Sequence, residues 1–142
     1  MNSELLHTVQ GGPALIAWFD GSMPSFHDAE ILELALERDK SRCRLKVHAF
    51  RMTPDTNEKG FYITVRHVVI TFQFENVVEL ELTDFNHQNA VDGLTLARQP
   101  NGNFLLTMDP CYGLFGKIEA GNLEISFEPG IPSGSVYTQC SA

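Results

Sequence analysis

This chain has little cysteine, a single tryptophan, few basic residues and no long apolar run. None of its 142 residues falls in an apolar stretch of the ~18–20 residues that a membrane-crossing helix needs. Cys43, Cys111 and Cys140 are odd in number, widely spaced and without a C-x-x-C pair, which argues against a disulfide framework and a zinc site. They read as buried or inert thiols. Met1-Asn2-Ser3-Glu4 carries no Lys or Arg, and no apolar signal core follows it. The expectation is a soluble, cytoplasmic protein with no membrane partner.

Ten Lys and Arg stand against 18 Asp and Glu, a formal charge of -8. Residues 1–37 hold six acids and no Lys or Arg, residues 38–67 eight bases against three acids, and residues 68–142 nine acids against two bases. A chain so acidic does not bind nucleic acid by counterion release unless its basic block folds into a patch, so no nucleic-acid partner is expected. Acid-rich surfaces suit a basic partner through steering and complementarity, and they also simply keep a small protein in solution.

Hydrophobic residues make up 43% and charged residues 20%, an ordinary globular balance. The length suits one domain, residues 1–142, with a core of its own. Glu4 to Val9 suits a helical turn, which Gly11-Gly12 breaks. Pro13 fits a first helical position before Ala14-Leu15-Ile16-Ala17-Trp18-Phe19, Gly21 can close that helix, and Pro24 stops it.

From there the pattern is that of strands. Leu32, Leu34 and Leu36 alternate with Glu33, Ala35 and Glu37, and Cys43, Leu45, Val47 and Ala49 with Arg44, Lys46 and His48. Asp39 to Arg42 joins these runs as a hairpin, and the shift of apolar parity to Phe50 and Met52 indicates a bulge near Ala49. A polar loop covers residues 54–60. Val68 to Phe74 is the next run, and after Glu75-Asn76 another has Val78, Leu80 and Leu82 facing in. Leu94-Thr95-Leu96 and Phe104-Leu105-Leu106 flank Asn101-Gly102, the strongest short hairpin signal in the chain. Gly113 and Gly116 around Leu114-Phe115 read as a bulge or tight bend. Leu123, Ile125 and Phe127 face in, residues 129–134 are turn-rich, and the last residues are expected to fray. The fold class is mainly β: an antiparallel sheet of about seven strands, folded as a sandwich or open barrel, with a short N-terminal helix.

Pro24-Ser25-Phe26-His27-Asp28 sits where the helical segment gives way to sheet. A histidine beside a carboxylate there is the first candidate site. Neighbours on a strand point to opposite faces, whereas in a turn the two side chains can meet. The simpler reading is structural, with His27 or Asp28 bonding backbone where the chain enters the sheet. No Ser or Cys stands in a nucleophile elbow, and the five histidines show neither H-x-H nor H-E-x-x-H spacing. No catalytic residue, cofactor or metal is therefore expected. Arg44, Lys46 and His48 read as one strand pairing across the sheet with acids such as Glu33 and Glu37 or Glu79 and Glu81. Trp18 reads as core.

Trp18-Phe19-x-Gly21 followed by Pro24-Ser25-Phe26-His27-Asp28-Ala29-Glu30-Ile31 resembles the opening of the bacterial immunity protein fifty family. Phe72 to Val77, Leu80-Glu81-Leu82 and Phe85-Asn86-His87-Gln88-Asn89 are similar in style to its middle. The resemblance implies a non-enzymatic neutraliser of a bacterial toxin, bound stoichiometrically in the cytoplasm. Trp18, Phe26, His27 and Asp28 are its motif residues, structural or binding. On that reading the partner is a basic toxin, and Glu30, Glu33, Glu79 and Glu81 are the candidate contacts. Two other classes stay open. One is a small-ligand-binding or hydrolytic domain with a pocket at His27 and Asp28, and the other is a structural subunit whose sheet edge pairs into a homodimer.

Overall fold

The computed structural model describes residues 1–139; Cys140 and the final residues, expected to fray, lie outside them. Helices α1 (Ser3–Leu6) and α2 (Gly12–Trp18) precede six strands: β1 (Glu30–Glu37), β2 (Arg42–Thr56), β3 (Tyr62–Thr83), β4 (Ala90–Arg98), β5 (Phe104–Tyr112) and β6 (Phe115–Pro129). All strand pairs are antiparallel, in the order β1-β2-β3-β6-β5-β4, and the sheet closes into a barrel where β4 meets β1. The mainly-β, antiparallel expectation holds.

Six strands replace the expected seven because two runs are one. β3 continues through Glu75-Asn76 for 22 residues, about 70 Å if straight, so it must coil around the barrel. It bends at two bulges. Ala49 and Arg51 face Val68 and Val65, leaving Arg66 and His67 opposite Phe50, with Arg66 in left-handed backbone (φ 57°). The bulge expected near Ala49 thus lies on the strand opposite. The second bulge inserts Val78, so Val77 packs against the core and Val78, expected inside, is 65% exposed.

β1 departs from simple alternation for the same reason. A bulge between Ile31 and Glu33 puts Ile31 in the core and leaves Leu32 outside. Leu36, expected on the dry face, is 61% exposed, because β1 meets β4 only at Glu30 and then runs on with β2 alone. Ion pairs from Glu33 to Lys46 and from Glu37 to Arg42 and Arg44 put charge along this strand, which discourages edge pairing.

The barrel interior is apolar. Leu45, Val47, Ile70, Phe72, Phe74, Leu106 and Ile118 are fully buried, as alternation predicts for inward positions. The N-terminal segment covers β6 beyond Ala120, where β5, which begins at Phe104, no longer pairs with it. Leu6, Leu15, Ile16 and Phe19 join the same core. Gln10 accepts a hydrogen bond from the Ile125 amide at 2.8 Å, adding a parallel bridge to β6. This docking needs the paired glycines. A β-carbon on Gly11 (φ 85°) would stand 1.7 Å from the Ile125 carbonyl oxygen, and one on Gly12 1.9 Å from that of Leu6.

The closing seam is short. Asp28 donates its amide to Val91, Val91 to Ala29 and Ile31 to Asn89, at 2.7–2.9 Å. Asn89 is buried and braces the seam from behind. Its side-chain oxygen accepts from the amides of Asn86 and Leu114, and its nitrogen donates to the Asn86 carbonyl.

Gly11→Ala is expected to cost about 3 kcal/mol, since the clash is with backbone that cannot step aside. Asn89→Leu is expected to cost about 2–3 kcal/mol by orphaning the buried Leu114 amide and the half-buried Asn86 amide. Urea midpoints at neutral pH check both. A wild-type midpoint for Gly11→Ala would mean that α2 does not dock on β6 in this way.

Candidate functional site

Pro24 to Ala29 forms a tight turn. Phe26 and Asp28 both take left-handed backbone (φ 66° and 64°), and Ala29 donates its amide to the Phe26 carbonyl. A bulky residue loses about 1–2 kcal/mol in that conformation. Burying the Phe26 ring, 1% exposed, returns about 2–3 kcal/mol, so the buried ring holds the turn.

The turn presents His27 and Asp28 to solvent on one side, as a turn permits and a strand does not. His27 Nδ1 donates to Asp92 on β4 at 2.8 Å, and its Nε2 lies 3.5 Å from an Asp28 carboxylate oxygen. Asp92 sits at a bulge between Val91 and Gly93. A β-carbon added to Gly93 would stand 3.8 Å from an Asp109 carboxylate oxygen and 3.9 Å from the Ser25 carbonyl, so Asp109 adjoins the same turn. The Cys111 thiol is exposed, 3.9 Å from Asp28. Cys43, by contrast, is buried, and burial pushes its thiol up to about 11. Both His27 nitrogens face carboxylates, so neither is aimed at a nucleophile.

Beside Asp28 opens a cavity of about 600 Å³. Its other walls come from the distal part of the β2–β3 hairpin (Met52, Asn57, Phe61, Tyr62, Ile63, Thr64, His67) and from the C-terminal turn (Val136, Tyr137). Asn57 holds the hairpin tip, its side-chain oxygen accepting from the amides of Lys59 and Phe61. The arm leaves Phe61, Tyr62, Ile63 and Val65 exposed, more apolar surface than a hairpin tip needs. The cavity that sequence placed around His27 and Asp28 therefore includes Asp28 but not His27.

The cavity's histidine is His67. Its Nδ1 lies 3.0 Å from Nε2 of His48, and its Nε2 lies 2.9 Å from the Thr64 hydroxyl. His48 is 1% exposed, enclosed by Phe50, His67 and Tyr137. Burial and the neighbouring His67 ring push its imidazole down to about 4. Burial also lowers His67, against a hydrogen bond to the Thr64 backbone. Neither periodicity nor spacing brought His48 and His67 together. The visible signal was the lapse of charged alternation over Val47-His48-Ala49-Phe50, and all four residues are buried, so β2 is covered on both faces there.

The remaining motif and acidic residues are spread over the barrel. Trp18 is half-buried at the end of α2, against Phe19, Phe127 and the Arg66 guanidinium. Arg66 also pairs with Asp20, and Arg51 donates to the Phe19 and Ser22 carbonyls, so two arginines fasten this helix end. Glu30 stands at the seam opposite Ala90. Glu33 pairs with Lys46, while Glu79 and Glu81 share Lys117. The cross-sheet pairing expected for Arg44 and Lys46 is thus to Glu37 and Glu33, whereas His48, expected to pair with acids beside them, is buried against His67. Among the described residues, no three His, Cys, Asp or Glu side chains gather as a metal-binding group.

His48 makes the fold acid-sensitive. In the unfolded chain its ring takes a proton near pH 6.5, but in the folded chain only near pH 4. The unfolded state binds more protons between these values, so stability is expected to fall as pH drops through that window, by about 3 kcal/mol for His48 alone. Urea unfolding at pH 7 and pH 4.5 checks this. His48→Gln should flatten the difference, and an unchanged pH slope in that variant would sink the assignment.

No curated protein and no solved structure matches this sequence. A sequence profile described as immunity protein 50 matches residues 12–108, from α2 through most of β5 and including the turn, the seam and the arm. The match takes in more than half of the chain, which belongs to the immunity protein 50 family.

Proposed function

We propose that the chain is a non-enzymatic immunity protein that neutralises a cognate bacterial toxin by stoichiometric binding in the cytoplasm, and that the turn and seam form its binding face. The observation that carries this reading is the charge around His27. Asp28 and Asp92 both lie against its ring, with Asp109 adjoining and Glu30 at the seam. Among the described residues no Lys or Arg forms an ion pair with any of these four acids. Arg42, Arg44, Lys46, Arg66 and Lys117 are engaged with carboxylates elsewhere. The face therefore keeps a negative field suited to a basic toxin surface, and the apolar arm beside it supplies area that can be desiccated on binding. Glu33, Glu79 and Glu81 share their charge with Lys46 and Lys117 and fit the rim better than the centre.

Co-expression with the toxin encoded beside its gene should protect cells and yield a one-to-one complex by native mass spectrometry. Asp28→Asn with Asp92→Asn should weaken the complex on the order of 10-fold, mostly through a slower on-rate, and high salt should shrink that difference. Unprotected cells and no complex at low salt would refute the reading.

A further inference from the structure

We propose that the cavity beside Asp28 is a binding site for a cation carried on an apolar stem, the chemistry of an arginine or lysine side chain or of an aromatic amidine. Its volume, about 600 Å³, lies within the range of small-ligand sites, roughly 300–1,000 Å³. Met52, Phe61, Tyr62, Ile63 and Val136 line it with apolar surface. Asp28 is the one acidic or basic group among its described lining residues apart from His67.

His67 does not offer positive charge to a ligand. It is held between His48 and Thr64, and burial lowers its affinity for a proton. The charge on Asp28 is not cancelled from outside either. His27 lies 3.5 Å away, but the same ring is 2.8 Å from Asp92. Two carboxylates against one imidazole leave net negative charge whether or not the ring is protonated. The nearby Cys111 thiol contributes only a weak contact at 3.9 Å. A cation entering the cavity meets an uncompensated carboxylate, and its stem meets aromatic faces that favour guanidinium and ammonium groups. An anion is repelled, and a neutral ligand gains only the walls. The occupant in the cell is a basic side chain of the toxin, a step that rests on the neutralisation reading. The chemistry of the cavity does not.

The test uses the purified full chain, ¹⁵N-labelled, titrated with benzamidine, its neutral isostere benzamide and the anion benzoate. Benzamidine should shift the Ile63, Thr64 and His67 amides and bind about fivefold tighter than benzamide, with benzoate inert. Asp28→Asn should abolish the preference for benzamidine over benzamide without lowering the melting temperature appreciably. Ile63→Trp, which fills the cavity from an exposed strand position, should remove binding of both. Equal binding of the two probes, shifts confined to another surface, no binding by any probe, or a preference that survives Asp28→Asn would each overturn the site. Protection from the toxin is scored separately. Charge-selective probe binding without protection leaves the site standing and removes the toxin reading, whereas protection by a chain that binds no probe does the reverse.

Discussion

The sheet closes on itself through a seam only a few residues long, and most of the molecule's surface chemistry follows from that closure. Three backbone hydrogen bonds join residues 28–31 to 89–91. They force β1 to start beside β4, and so bring a turn next to a strand 65 residues further along, where His27 meets Asp92. The seam is too short to align the rest of β1 with β4. Past Ile31 the strand runs on with β2 alone, and Leu36 is left in solvent. The buried side chain of Asn89 supports the arrangement by satisfying two amides outside the ladders, that of Asn86 in the loop of residues 84–89 and that of Leu114 in the β5–β6 connection.

Strain and burial are balanced at the same place. Phe26 and Asp28 both sit in backbone conformations that non-glycine residues disfavour, and one buried ring offsets that cost. The result is an exposed His-Asp pair on a rigid base. Strain of this kind persists only where surrounding structure over-determines it, and it tends to mark functional surfaces. The long β3 adds the second element. Its bulges let one strand serve both as barrel wall and as the arm that encloses the cavity.

Charge is sorted by the topology. The basic block of residues 38–67 forms no open patch on β2, because Arg42, Arg44 and Lys46 face Glu37, Glu75 and Glu33 across the sheet. Among the described residues, the acids of the turn and seam have no Lys or Arg partner. A chain whose composition is acidic at its two ends thereby keeps, at the turn and seam, a group of acids that no Lys or Arg answers among the described residues. Membership of the immunity protein 50 family agrees with the proposal that this face meets a toxin.

Local pattern was enough for the fold class. Period-two alternation in β6 and in β2 as far as Val47, Asn101-Gly102 between β4 and β5, and Pro13 in the first turn of α2 each report a conformation decided within a few residues, and each is found as read. The Phe-His-Asp turn was legible as a site of interest for the same reason. The bulges were not, since one inserted residue shifts which side chain faces in and leaves composition unchanged, as Val78 and Leu32 show. Nor were His27 with Asp92, His48 with His67, or the cavity between the turn and the arm. Those depend on strand register and on where the sheet closes, which are settled by packing among residues far apart in the chain. Sequence determined which segments are strands and that the surface is acidic. Tertiary structure alone decided which side chains meet, because contact between distant strands is set by the shape of the shared core and not by any neighbour in the chain.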